Sequence, residues 1–155
     1  MSPATKPSSR ERMIAAAETL LCERGLGGAG IKQLVARSGA PIGSVYHFFP
    51  GGKAQLVAET LRVHAGKAHQ LYSQHFSDKG KPLADRIRSL FRTAAAGFDR
   101  VGGERSCAVA AVTLGLGTAD AELREVCRRS FDHWVATIAS QLPWKNEARR
   151  VSFAR

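Results

Sequence analysis

From Ser8 to Leu142 the apolar residues of this chain recur every three or four positions, and no stretch alternates polar with apolar long enough to read as a strand. That period restricts the fold to helices packed on helices. Glycine and proline punctuate it. Ser8 with Glu11 makes a capping box, which opens a helix running to about Arg24 with Met13, Ala17, Leu20 and Leu21 on one face and Gly25 as its stop. "IKQLVARSG" predicts a short helix ended by Gly39, and "PIGSVYHF" a second one opened by Pro41, where proline is tolerated. Lys53 to about Phe76 carries Leu56, Leu61, Ala65, Ala68, Leu71 and Tyr72 in helical phase, and Pro82 opens a helix with Leu83, Ile87, Leu90, Phe91, Ala94 and Phe98, ended by Gly102 and Gly103. Cys107 to Leu114 reads as a short buried helix or as a strand, and Ala121 to Leu142 as a last long helix. The expected fold class is all-α, with three short helices followed by three or four longer ones.

At 155 residues, 44% of them apolar, the chain can bury a core. Its 23 Lys and Arg against 13 Asp and Glu leave a charge of +10 and a pI near 10.3, which favours a polyanionic partner such as nucleic acid or an anionic membrane surface. Charge does not locate the site: residues 1–80 hold 10 basic and 5 acidic side chains and residues 81–155 hold 13 and 8, so each half carries +5. Cys22, Cys107 and Cys127 are an odd number without C-x-x-C, which speaks against a disulfide framework and a thiolate zinc site and for a reducing compartment. "MSPATKPSSRER" has no apolar signal segment, and the most apolar run, "CAVAAVTLGLG", is too short to span a bilayer. The expectation is a soluble, cytoplasmic protein with no membrane partner. His64, His69 and His75 stand five and six apart, not at the i, i+4 spacing that sets two imidazoles on one helix face, so neither a metal nor a cofactor is expected.

Two glycine patterns mislead. "GLGGAG", with Gly25, Gly27 and Gly30, matches G-x-G-x-x-G, but that fingerprint works only between a strand and a helix, and a capped helix precedes it here. "PGGKA" resembles the end of a phosphate-binding loop, yet His47 stands where its first glycine belongs and Ala54 replaces the hydroxyl that holds magnesium. No nucleophile elbow and no H-E-x-x-H occurs, so no enzyme is expected. What remains is a short helix, a tight turn at Gly39 and a second short helix from Pro41, which is helix-turn-helix spacing or else a packed helical corner. The second helix offers Gly43 for close backbone approach, Ser44 as a small donor and acceptor, and Tyr46 and His47 for phosphates or base edges. Lys53 opens the long helix, where free N–H groups favour a phosphate. Phe48 and Phe49 are expected as core wedges.

"GIKQLVARSGAPIGSVYHFFPGGKAQL" resembles the DNA-binding domain of TetR-family transcriptional regulators, whose hallmark is a helix-turn-helix ending in Tyr-His, two aromatics and a Pro, with the next helix starting near a Lys. The resemblance covers about residues 8–65 and includes the order of the four opening helices. The extra glycine in "FFPGGK" and the segment "SCAVAAVTLG" resemble the subgroup typified by the LmrA and YxaF repressors. The resemblance implies a homodimer that reads palindromic operator DNA and is released by a small hydrophobic inducer. Residues 1–7 would be a flexible arm, 8–52 the DNA-binding domain and 53–155 the ligand-binding and dimerisation domain. It further implies recognition-helix contacts from Ser44, Tyr46 and His47, a phosphate contact from Lys53, backbone contacts from Lys32, Gln33 and Arg37, and further contact from Lys6 and Arg10. Gly30 and Ile42 depart from the family pattern, which has a capping Thr and commonly a Lys at those positions. A pocket in this architecture would be walled by Phe91, Phe98, Cys107, Val112, Phe131 and Trp134, with plain core as the alternative for each. The helix opened by Lys53 is expected to be the only covalent route from that pocket to the reading head. The chain is also shorter than most of the family. Truncation is the favoured expectation, against one in which the helix from Ala121 pairs through Phe131, Trp134 or Val135. A basic helical module that binds proteins or membrane surfaces is the competing functional reading.

Overall fold

A computed structural model of the chain describes residues 6–99, 103, 105–118, 120–143 and 147–154. Among them the backbone forms α1 (Ser9–Gly28), α2 (Ile31–Ser38), α3 (Ile42–Phe48), α4 (Gly52–Ser77), α5 (Leu83–Asp99), α6 (Ala108–Leu114), α7 (Ala121–Ala139) and α8 (Glu147–Ala154), with no strand. The expected capping box starts α1: Ser8 N–H donates to Glu11 Oε2 at 2.7 Å, and Ser8 Oγ accepts from the Glu11 N–H at 3.2 Å. Gly25 interrupts the helix with φ 65° and ψ −167°, a conformation that side chains resist. The "GLGGAG" stretch therefore forms the kinked end of α1, Gly25–Gly28, and leads on into α2, without the strand a dinucleotide site needs.

The first three helices close on one small core. Met13, Leu21, Val45 and Phe49 are fully enclosed and Leu34 nearly so, whereas Phe48 is half-buried. Gly39 ends α2 at φ 62° and ψ 18°, its N–H donating to Val35 O at 3.1 Å, and Pro41 precedes α3. Arg12 Nε donates to Ser38 O at 3.3 Å, which ties α1 to the turn between α2 and α3.

The 26 residues of α4 run from this core along the rest of the molecule, with Leu56, Val57, Ala58 and Leu61 buried at its start and α7 against its far half. The Trp134 indole fixes that pairing by donating to Ala65 O at 3.2 Å. The run from Cys107 is a helix rather than a strand, with Cys107 just before α6 and Ala108, Val109 and Val112 fully buried. α7 stops at Ala139, three residues short of the expected Leu142, which is nevertheless buried in the turn that follows. The expected end of α5 at Gly102, like residues 1–5 of the expected arm, lies outside the described residues.

The largest departure from the sequence pattern is in α5. Plain core, the alternative reading of its apolar face, does not hold: only Leu90 of that face is buried, and Phe91 and Phe98 are 69% and 52% exposed. The cause is its packing, chiefly against α4, so that the same face looks into a groove. The route to that groove is also double. Besides α4, which carries the covalent connection, the first helix α1 reaches it through Glu18 and Cys22 while Arg12 holds the α2–α3 turn by a hydrogen bond, a second and non-covalent route.

Candidate nucleic-acid interface

Seven residues make α3, and their phase divides it. Val45 and the following Phe49 face the core, which leaves Ile42, Gly43, Tyr46 and His47 on the outside, Ile42 and Tyr46 being 56% and 57% exposed. Tyr46 and His47 thus share one surface with Ile42, the position where the family pattern has a Lys. Ser44 is half-buried, its N–H donating to Pro41 O at 2.9 Å. A Cβ added at Gly43 would meet nothing within 4 Å. Among the described residues no packing asks for a glycine there, which leaves its smallness to something that approaches from outside. The His47 ring stands edge-on to Phe48 at 4.9 Å between centroids.

The remaining expected contacts are arranged less uniformly. Lys32 and Gln33 are exposed on the first turn of α2, and Gly30 caps that helix with no side-chain bond. Gln33 Oε1 would lie 2.3 Å from a Cβ at Gly30, so this flexible amide occupies the space of the absent Thr. Arg37 is clamped to Glu23 at 2.7 and 3.2 Å, and that bond holds the Glu23 carboxyl below its ordinary range. Lys53 is half-buried and donates from Nζ to Leu26 O at 2.9 Å near the end of α1. Arg10 pairs with Glu59 and lies over the Phe49 ring at 5.6 Å. Lys6 is exposed. Tyr46 and His47 are thus outward, whereas Arg37 and Lys53 also brace α1.

Beyond the helix-turn-helix, α1, α4, α5 and the segment before α6, with Ile138 of α7 and Ala154 of α8, border an open cavity of about 780 Å³, apolar over most of its wall. Phe91, Phe98 and Cys107 of the six expected residues line it. The other three do not. Val112 is fully enclosed on the inner side of α6, Trp134 is turned towards Ala65 and Tyr72, and Phe131 stands edge-on to Trp134 at 5.3 Å. With Trp134 only 6% exposed, it is also withdrawn from any outward seam on α7.

One end of the cavity is polar. Glu18 Oε1 lies 2.9 Å from His64 Nδ1, and His64 Nε2 lies 3.5 Å from Cys107 Sγ. Lys67 Nζ donates to the second Glu18 oxygen at 2.5 Å. The His64 hydrogen bond, helped by Lys67 and opposed by burial, draws the Glu18 carboxyl down to about 2. His64 is pushed up to about 9 by its bonds to Cys107 and then Glu18, against the effect of burial. The Cys107 thiol is raised by its enclosure but lowered more by the His64 bond, the backbone N–H groups of α6 and the His64 charge, so it ends below its ordinary value. In the sequence His64 stands out only beside His69 and His75, as a metal candidate that spacing excludes, and Glu18, 46 residues away, not at all. His69 and His75 have other partners, Thr137 and Ser89, so the three histidines do not gather.

Residues 13–60 match the profile of bacterial regulatory proteins of the tetR family, and residues 84–150 that of the C-terminal domain of LmrA/YxaF-like transcriptional regulators. The chain is 30% identical over 138 residues to the HTH-type transcriptional regulator YxaF of Bacillus subtilis, covering 89% of this chain and 72% of YxaF. It is 28% identical to LmrA of the same organism over 86% of this chain and 71% of LmrA. Its fold superposes on a TetR regulatory protein from Rhodobacter sphaeroides with a TM-score of 0.83 at 22% identity, over 94% of this chain and 82% of that one.

Proposed function

This chain belongs to the TetR family of bacterial regulatory proteins, as a helix-turn-helix transcriptional regulator, and from that premise we propose that it is a repressor released from operator DNA by a small hydrophobic ligand. The observation that carries the DNA reading is the outward face of α3. Ile42, Gly43, Tyr46 and His47 are exposed on a helix whose other face is locked by Val45 and Phe49, and Gly43 leaves room that nothing inside the protein uses. A short rigid helix with a bare first turn fits a major groove, where a phenol and an imidazole reach base edges or phosphates and Ile42 meets a thymine methyl. Ser44 lies beneath them as a further donor. Lys32, Gln33, Lys6 and Arg10 supply backbone contacts around the helix. Arg37 and Lys53 serve in the same way when their bonds to Glu23 and Leu26 yield or extend to phosphate.

In this reading residues 8–52 form the DNA-binding unit, and residues 53–155 the unit that holds the ligand and pairs two subunits on a palindrome. The cavity supports the ligand half, since an apolar wall with one polar end suits a small hydrophobic molecule. Repression is the outcome that asks least of the chain, because occupancy of the operator is enough.

The test is fluorescence anisotropy on a duplex selected from random DNA by the protein itself. Tyr46→Ala and His47→Ala each lower operator affinity by about 1–3 kcal/mol while leaving non-specific affinity and helicity unchanged. Equal binding of operator and scrambled duplex by the wild type would reject the reading in favour of a general polyanion-binding module.

A further inference from the structure

The polar end of the cavity holds a nucleophile, a base and a carboxylate in series, and we propose that Cys107 is a covalent ligand site for apolar electrophiles of the α,β-unsaturated ketone class. The geometry carries it. Cys107 Sγ is open to the groove and 3.5 Å from His64 Nε2, and the opposite ring nitrogen of His64 is 2.9 Å from Glu18 Oε1. A base within reach of a thiol, itself oriented by a third group, is the arrangement that activates a nucleophile. Glu18 is the positioning residue, and Lys67 holds its second oxygen. Leu71, Ile87, Phe91 and Phe98 wall the same cavity, so an electrophile with a hydrocarbon tail is brought to the sulfur by the surface it buries.

The step balances without any oxidant or reductant. The Sγ proton passes to His64 Nε2, and the sulfur electron pair forms a C–S bond to the β-carbon. The C=C π pair moves to the carbonyl as an enolate, and the His64 imidazolium returns its proton to the α-carbon. The two other thiols are poor competitors. Cys22, on the cavity wall, and Cys127 are buried, and burial raises both above their ordinary value. Facing this end are Glu18 and Cys22 from α1, His64, Lys67 and Tyr72 from α4, and Arg105 before α6. Enclosure is the largest single effect on Cys107 and raises it, while the His64 bond, the backbone N–H groups of α6 and the His64 charge together lower it below its ordinary value, in keeping with a thiolate–imidazolium pair.

The site rests on the ligand reading above only for its regulatory effect; its chemistry is read without DNA. The full chain is treated with trans-3-nonen-2-one or the short analogue 3-penten-2-one, and adducts are timed and located by intact-protein and peptide mass spectrometry, with glutathione as the reference for intrinsic reactivity. The expected result is one adduct, on Cys107, forming at least about tenfold faster than on glutathione at pH 7, and faster with the nine-carbon ketone after normalisation. His64→Gln slows it about tenfold or more and moves the pH at which the rate is half-maximal up towards an ordinary thiol. Glu18→Gln gives a smaller shift in the same direction. A Cys107 rate equal to glutathione's, first labelling on Cys22, or a wild-type pH profile of an ordinary thiol would overturn the proposal whatever the variants do. A fast adduct that leaves operator affinity unchanged keeps the covalent site and removes only its link to DNA release.

Discussion

Gly39 and Gly43 stand four residues apart in the helix-turn-helix and are glycines for different reasons. Gly39 has φ 62°, a conformation that costs another residue about 1–2 kcal/mol, so Gly39→Ala is expected to lower stability by that amount in thermal or urea unfolding. Gly43 is helical and has open space around it, so Gly43→Ala is expected to leave stability unchanged or raise it by up to about 1 kcal/mol. Its operator affinity is nevertheless expected to fall, because the added methyl stands on the surface offered to DNA. Tight binding by a stabilised Gly43→Ala protein would show that the groove does not come that close. Lys53 is a mixed case. Its bond to Leu26 O makes Lys53→Ala destabilising by about 1 kcal/mol, and a phosphate contact would in addition flatten the dependence of log affinity on log salt by about one counterion. A lower stability with an unchanged salt slope would assign it to the fold alone.

At the scale of elements, the pairing of α1 with α4 depends on pH through Glu18 and His64. Glu18 falls from an ordinary 4.5 to about 2, so its contribution is present above 4.5 and is lost as pH drops through about 2. His64 rises from 6.5 to about 9, so its contribution is complete below 6.5 and is lost as pH climbs through about 9. Both are whole between about pH 4.5 and 6.5. The melting temperature of the wild type should therefore exceed that of His64→Gln most in this window, with the gap closing towards pH 9.5. Because the bond to Cys107 is the first cause of the His64 shift, Cys107→Ser should close the gap at a lower pH. A gap that widens with rising pH would mean that His64 is neutral in the folded state.

Across the whole molecule, α1 and α4 both run from the helix-turn-helix to the cavity, with Arg12 on the α2–α3 turn at one end and Glu18, Cys22, His64 and Lys67 in the cavity at the other. A ligand that shifts either helix alters the setting of α3. For such a ligand to release DNA it must bind the DNA-incompetent form more tightly, and operator must weaken ligand binding by the same factor. Titrating 1-anilinonaphthalene-8-sulfonate into the cavity with and without saturating operator measures that factor. A dye affinity lowered by operator, matched by an equal loss of operator affinity in saturating dye, is the expected result, and independence of the two removes the mechanism.

What the sequence determined by itself is the part of the structure governed by near neighbours. The capping box at Ser8, the break at Gly25, the turn at Gly39, the proline openings of α3 and α5 and the outward Tyr46 and His47 on α3 all follow from residues within a turn or two of each other. Helix phase and capping are local, so spacing reveals them. The tertiary structure alone decided which outward residues meet. Spacing cannot tell that Arg37 finds Glu23, that Lys53 finds Leu26 O, or that Trp134 turns to Ala65 and away from the cavity. Nor does it reveal that the amphipathic face of α5 looks into a groove, since a face has the same pattern whether or not another helix covers it. The series Glu18–His64–Cys107 joins three segments remote in the chain, and it exists only because α1, α4 and the start of α6 come together at one rotation and height. Those relations are set by how side chains interlock between helices, which no single helix encodes.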